Sequence, residues 1–469
     1  MFRAPALRMC LAIALFTGGL RAQGGKEWGL IRNDPGALPG YTLFGPQRHT
    51  AVYLIDMKGR VVHKWETGER AGNSAYLLED GRLMRATHTP GNEIFGAPPF
   101  GGGRIQIFSW DGKLEWNYRI SDVQRYQHHD IEPLPNGNVL ALVWEHKSRE
   151  EAIAAGRNPE LLEGDKLFPE SIIEIKPSGP ESGEIVWEWR LWDHLVQDYD
   201  PTKANYGVVA DHPERLDINS VLNRGSDWNH ANSIAYNSEL DQIVINMRSM
   251  SEFYVIDHGT TTAEAATNRG GKQGKGGDFL YRWGNPRVYG RGGEDARTLF
   301  VQHHPTWIPA GLPGAGDILV FNNGQGRPDG DYSTVDQIHP PVDNQGAYRL
   351  EPGKPFQPAK AAWTYVANPK SDFYSYFISG AQRLSNGNTL ICSGANSRLF
   401  EVTPTGKIVW EYRTGIARPD APVTAGGMRK PGDPEPDAAA MRGVGVFRAT
   451  RYPPDYPGLK GKSLKPLPN

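Results

Sequence analysis

The chain has 469 residues, a formal charge of −2 with histidine neutral, and 22% charged against 38% hydrophobic residues. Near-neutral charge with no basic stripe excludes DNA or RNA as an expected partner. The 55 glycines and 37 prolines suit a fold with many tight turns.

In chain order, Arg3 and Arg8 precede an apolar LAIALF and a small-residue GGLRAQ, the pattern of a signal peptide over residues 1–22. This reading sends the protein to a periplasm or outside the cell. Cys10 precedes the apolar core, so no lipoprotein anchor is expected, and no later run reaches the roughly 18 apolar residues of a membrane span. Cleavage leaves Cys392 alone, read as core, so the mature chain has no internal disulfide.

Two kinds of hairpin then alternate. One is an apolar run broken by a tight turn: LLEDGRLMRA, EPLPNGNVLALVW, IAYNSELDQIVINMR, WIPAGLPGAGDILVFNN and RLSNGNTLICSG. The other ends in aromatic residues: LIDMKGRVVHKWE, IFSWDGKLEWNYR, IIEIKPSGPESGEIVWEWR, FYVIDHG to FLYRWG, YRLEPGKPFQPAKAAWTYV and LFEVTPTGKIVWEYR. About six four-stranded units predict an all-β, six-bladed β-propeller in one domain over residues 23–450, with a tail over 451–469. The inner hairpin of the first unit is degraded around Tyr41 to Pro46, and the distant VGVFRATRYP is expected to complete that blade. Trp65, Trp116, Trp187, Trp189, Trp283, Trp363 and Trp410 end repeat strands and are expected in the core between blades.

Longer insertions separate the units. A short helix is predicted from Arg149 to Ala155, stopped by Gly156 and Pro159. Residues 258–278 read as a Gly/Lys loop without the features of a P-loop, and 416–440 as a Pro/Gly/Asp-rich stretch. Residues 191–229 and 284–302 lead directly into His230 and His303, where they would roof one end of the axis.

Chemistry is concentrated at one position of the repeat. His129, His230 and His303 each stand six residues before the end of a strand-like run, where other units carry Asn73 and Ser379. Equivalent positions of a circular repeat converge on its axis. His304 adjoins His303, but strand neighbours point to opposite faces, and the common offset favours His303, as it favours His129 over His128. Counting across the hairpin turns sets Arg248 within about one position of facing His230, Asn322 or Asn323 beside His303, Trp144 beside His129, and His88 near Asn73. No carboxylate recurs there, although Asp130 and Asp227 adjoin in sequence.

Three imidazoles could hold zinc or copper, but Arg248 would set a fixed positive charge beside the metal. A guanidinium beside imidazoles better suits a tetrahedral oxyanion such as sulfate or phosphate. A histidine attacking sulfur or phosphorus would form a covalent intermediate while the other donors hold the remaining oxygens. No cofactor and no metal are expected on this reading. Trp144 and Trp307 lie nearer the mouth, where they either stack on an aryl ring or pack.

At these residues the chain resembles the bacterial arylsulfate sulfotransferase family. The motifs that carry the resemblance are HDIEPLPNGNVL, DWNHANSIAY followed by VINMRS, and QHHPTWIP followed by DILVFNNG, with LIDMKGRVVHKW and GKIVWEYR as blade repeats. It covers roughly residues 40–415. The resemblance implies a six-bladed propeller that moves a sulfuryl group from a phenolic sulfate ester to a phenol by a ping-pong route without a nucleotide donor. It implies that His303 is the nucleophile, that His230, Asn232 and Arg248 bind sulfate and stabilise charge, and that His129 is a further sulfate ligand or the proton donor to the departing phenolate. Asn322, Asn323, Trp144 and His304 complete the expected substrate-binding set. The partners are then a small aryl sulfate and a phenolic acceptor. A phenol, with a reference pKa of about 10, leaves poorly without a proton.

The chain departs from some members in having neither a separate N-terminal sandwich domain nor an intrachain disulfide. Two other function classes fit the same residues: a propeller that only binds a ligand or partner, and a metal-dependent hydrolase using the same histidines.

Overall fold

The computed structural model describes residues 28–96, 101–220, 223–415 and 445–468. The expected signal peptide and the stretch 416–440 lie outside the described residues. Among the described residues no helix is long and apolar enough to cross a membrane.

The chain folds as six antiparallel sheets arranged as a six-bladed β-propeller. Blade 2 holds Ala71–Leu77, Leu83–His88, Gly103–Phe108 and Leu114–Arg119; blade 3 holds Arg125–Pro133, Val139–Glu145, Glu170–Gly179 and Ser182–Arg190. Blade 4 holds Ala231–Asn237, Gln242–Met247, Glu252–Asp257 and Tyr281–Trp283, and blade 5 holds His303–Trp307, Ile318–Asn322, Thr334–Ile338 and Trp363–Tyr365. Blade 6 holds Gly380–Arg383, Thr389–Ser393, Arg398–Val402 and Ile408–Arg413, with Gly29–Asn33 added on its outer edge. Blade 1 is built from both ends of the described chain: Val446–Tyr452 is its inner strand, followed by Tyr41–Pro46, Ala51–Ile55 and Val61–Glu66. The six inner strands touch one another in turn, so the ring closes.

Alternation of apolar and polar residues buries one side of each strand against the next blade. Between blades 2 and 3, for example, Ile105, Ile107 and Trp116 pack on Ile131, Ala141, Val143 and Ile173. The outer-strand tryptophans tie the blades in sequence. Trp65, Trp116, Trp187, Trp283, Trp363 and Trp410 each donate an indole N–H across to the following blade, onto Ser109 O, Ser182 O, Thr260 Oγ1, Pro358 O, Pro404 O and Met57 O. The last of these returns to blade 1 and completes the circuit. All but the bond of half-buried Trp363 satisfy an indole that packing removes from water. Cys392 is buried, and burial pushes its thiol far up.

Several local expectations are corrected. The third strand of blade 5 is Thr334–Ile338, whereas Tyr348 and Leu350 of the expected hairpin pack against the blade 4 core and Tyr348 stacks on Tyr281. The short helix expected at Arg149 is present as Arg149–Ala154 with Ala155 as its C-cap, opened by a capping box from Ser148 and Glu151. A second, one-turn helix, Thr262–Ala265, forms inside the Gly/Lys loop because Thr261 and Glu264 make another capping box.

Candidate active site

The inner strands share a distortion that sets up the site. Asn73, His129, His230, His304 and Ser379 all have positive φ, between 50° and 102°, in five successive blades. A left-handed residue in a strand breaks the alternation of faces and re-aims its neighbours, at an expected strain of about 1–3 kcal/mol each. Pairing is irregular at the same places, between Ala141 and Val143, Ala231 and Ser233, and His303 and Thr306. In blade 5 the left-handed residue is His304, so His303 stands one place earlier on its strand than His129 and His230 do on theirs.

His129, His230, His303 and Arg248 come together at the axis. The rings of His129 and His230 meet edge to face with centroids 4.9 Å apart. Arg248 begins a turn at the end of its strand, where its amide donates to the His230 carbonyl at 3.0 Å. His303 is held well below the usual imidazole range by burial and then by the charges of Arg248 and His230. His129 is likewise held low by burial, then by His230, His128, His303 and Arg248. Both rings are therefore neutral at ordinary pH. Burial also lowers Arg248, with Asp227 and Tyr374 facing it and opposing that shift.

Each ring is oriented by a particular partner. Asn323 donates from Nδ2 to the carbonyls of Ser375 and Ile378 at 2.6 and 3.0 Å, which leaves its Oδ1 to accept Nδ1–H of His303 at 2.7 Å. The lone pair of His303 is thereby assigned to Nε2. His230 donates from Nδ1 to Asp227 Oδ2 at 2.5 Å, and Asp227 is held below the usual carboxylate range because His230, with His128 and Arg248, together offset its burial. His129 meets His128 through their Nδ1 atoms at 2.8 Å, and His128 Nε2 meets Glu170 Oε2 at 2.8 Å.

The other expected site residues lie elsewhere. Trp144 pairs with Tyr126 and stacks on His128, 4.2 Å between centroids, instead of standing beside His129, because the bulge shifts the count. Asn322 accepts the Phe300 amide and donates to Thr298 O and Asp336, so it pins the loop that leads into His303. Asn232 donates to the Gln302 carbonyl and accepts from Asn246, supporting the strand just before His303. The ring of His304 turns toward blade 6, where a Cβ on Gly380 would fall 2.6 Å from its Nδ1. His88 stands opposite Arg70, three residues from the expected Asn73. Trp307 belongs to the core between blades 4 and 5.

Counting within single hairpins missed four contributors. Arg448, on the C-terminal strand, donates to Tyr76 Oη at 2.7 Å and to both oxygens of Asp130 at 3.1 and 2.9 Å. Burial works against the charge on Arg448, but Asp130, with Tyr76 and Glu132, more than offsets it, and Arg448 in turn helps depress His303 and His304. Glu132 lies on the same strand as Asp130, pushed up to about 8 by burial and by Asp130. Glu170 starts the third strand of blade 3, and Tyr374 sits in a loop rich in aromatics, SDFYSYF. Among the described residues no group of three or more His, Cys, Asp or Glu side chains is arranged to hold a metal ion.

The arrangement offers one neutral imidazole with a directed lone pair, a guanidinium and an Asp-backed imidazole around it, and a further imidazole in reach. That set can attack an electrophilic centre carrying several anionic oxygens while its charge is held by fixed donors.

No curated protein matches the chain significantly. Among solved structures, a Bacteroides caccae protein of unknown function is 14% identical with a TM-score of 0.41, over 80% of this chain and 93% of that one. The Cps50 (Swd1) β-propeller domain of Myceliophteria thermophila is 10% identical with a TM-score of 0.36, over 83% and 88%. Virginiamycin B lyase from Staphylococcus aureus is 9% identical with a TM-score of 0.36, over 83% and 86%. The family model described as Arylsulfotransferase (ASST) matches residues 46–414, most of the chain, so this protein belongs to the arylsulfotransferase family, and the general activity that goes with it is arylsulfate sulfuryl transfer.

Proposed function

We propose that the protein moves a sulfuryl group from a phenolic sulfate ester to a phenolic acceptor in two steps, through a sulfohistidine on His303. In the first step Nε2 of His303 attacks sulfur, the bond from sulfur to the phenolic oxygen breaks, and His129 protonates the departing phenolate. Arg248 and His230 hold the sulfuryl oxygens as negative charge redistributes, with Asp227 keeping His230 oriented. In the second step the acceptor phenol gives its proton to His129 and attacks the sulfur, restoring His303. The observation that carries this reading is the bond from His303 to Asn323, which presents Nε2 as a neutral nucleophile beside Arg248 and His230. The basic and apolar N-terminal segment supports the further proposal that the reaction takes place in a periplasm or outside the cell.

The test is intact mass after brief mixing with p-nitrophenyl sulfate in the presence of a chelator. The expected result is a gain of about 80 Da with nitrophenol release in wild type and neither in His303→Ala. An adduct of the same size in His303→Ala moves the nucleophile elsewhere, and no adduct and no nitrophenol from wild type rejects this donor and route.

A further inference from the structure

His128 and His129 are consecutive, yet their rings meet, because the backbone of His129 is left-handed at φ 50° and the usual alternation is broken. The two Nδ1 atoms lie 2.8 Å apart with the rings nearly perpendicular, at 84°. Beyond them, His128 Nε2 lies 2.8 Å from Glu170 Oε2, while Glu170 Oε1 accepts the Ala231 amide at 2.8 Å. Trp144 covers the face of His128, and all three relay groups are buried. A continuous chain of hydrogen bonds thus runs from the axis to a carboxyl group sealed inside blade 3.

We propose that Glu170, acting through His128, is the proton reservoir of His129 in sulfuryl transfer, a proposal that rests on the functional reading above. One proton lies between the two Nδ1 atoms, so the tautomers of the rings are locked together. In the resting arrangement Glu170 Oε2–H donates to His128 Nε2, His128 Nδ1–H donates to His129 Nδ1, and His129 carries its own proton on Nε2. When His129 gives that Nε2 proton to the departing phenolate, the His128 Nδ1 proton passes to His129 Nδ1 and the Glu170 proton passes to His128 Nε2. The relay then holds an ionised Glu170, two neutral imidazoles and a bare Nε2 on His129. The acceptor phenol reverses every transfer in the second step, so the full cycle leaves no net proton behind.

The surroundings favour this route over a charged His129. Burial pulls His128 down to about 3 and holds His129 well below its usual range, where His230, His303 and Arg248 add to the effect. Burial pushes Glu170 well above the carboxylate range, and Asp227 pushes it the same way, while the Ala231 amide and His230 oppose. A neutral imidazole N–H is too weak an acid to serve alone, but the relay lets it release a proton without leaving an imidazolate.

The experiment compares wild type and Glu170→Gln with two donors. The substituted amide keeps the shape and can still accept from Ala231, but it cannot pass a proton. Phenyl sulfate, whose leaving group needs protonation, is expected to lose about 100-fold or more in the rate of the first step, a loss of the size general acid catalysis supplies. p-Nitrophenyl sulfate, which releases a much weaker base, is expected to lose less than about tenfold and still to form the adduct in full, a difference that loss of fold would not produce. Equal loss with both donors, or no loss with either, overturns the relay. An infrared difference spectrum of wild type on sulfation by phenyl sulfate, whose leaving group takes the proton, covers the case in which the variant does not fold. The disappearance of a protonated-carboxyl stretch supports the proposal, and a spectrum without that change overturns it. A wild-type protein that forms no adduct at all overturns the functional reading itself and is thereby told apart from failure of the relay.

Discussion

Asn323 accepts the Nδ1 proton of His303 at 2.7 Å while its own amide nitrogen is committed to the carbonyls of Ser375 and Ile378. The amide cannot flip without giving up both of those bonds, so the ring tautomer is set by a loop of the next blade. Replacing Asn323 with Ala removes this choice and lets the proton move to Nε2. The expected effect is a fall of about two orders of magnitude in the rate of adduct formation, less than the roughly 10⁴-fold that an enforced wrong tautomer costs, because Ala removes the preference without imposing the opposite one. Stopped-flow release of nitrophenol checks it, and a change below about threefold would remove Asn323 from the account.

The rate should not follow an ordinary imidazole titration. His303 is active when neutral, and a pKa held well below 6.5 means that protonation begins only at more acid pH. With p-nitrophenyl sulfate, kcat/KM is therefore expected to stay level as pH falls from about 8 through about 6. A loss of activity with a midpoint near the ordinary imidazole value of 6.5 would contradict the assignment.

The bidentate pair of Arg448 and Asp130 is buried, with side-chain exposures of 8% and 0%. Arg448→Met strands the carboxylate and is expected to destabilise the protein by about 3–5 kcal/mol, whereas Asp130→Asn on that background recovers a large part of it. Chemical denaturation of the three variants against wild type measures this coupling. Additive losses in the double variant would mean the pair is not a unit.

Glu132 gives stability an unusual pH slope. Its folded pKa of about 8 exceeds the ordinary glutamate value of 4.5, so the folded state holds a proton that the unfolded state releases across that window. Stability is therefore lost as pH rises from 4.5 to about 8, by up to a few kcal/mol. Glu132→Gln is expected to flatten that part of the profile, read from denaturation midpoints at about pH 5 and about pH 9. Parallel profiles for the two proteins would show that Glu132 is ionised in both states.

The blade pattern could be read from the sequence because it depends on neighbours: apolar alternation and turns such as Asn136-Gly137 are local signals. Counting brought Arg248 within one position of His230 because the hairpin is regular from Ser233 to Asn237, and the bulge between Ala231 and Ser233 supplies the last step. Trp144 was displaced because two-residue pairing assumes no bulge, and the bulge at His129 lies just where the chemistry is. Asn322 and Asn323 could not be separated by counting, since one side chain serves the loop and the other serves His303. Glu170 and Arg448 left no local trace. Glu170 lies 42 residues from its His128 partner, and Arg448 lies 318 from its Asp130 partner.

The inner strand of blade 1 comes from residues 446–452, and it brings Phe447 within 6.3 Å of the His129 ring and Arg448 onto Asp130. Without this strand the ring of inner strands has a gap between blades 6 and 2, and Asp130 has no Arg448 to pair with. Any nascent or prematurely terminated chain that stops short of residue 446 thus has its histidines facing solvent through a gap in the ring. The strand that closes the axis beside His129 is also the one that neutralises a buried carboxylate, so losing it costs activity and stability together.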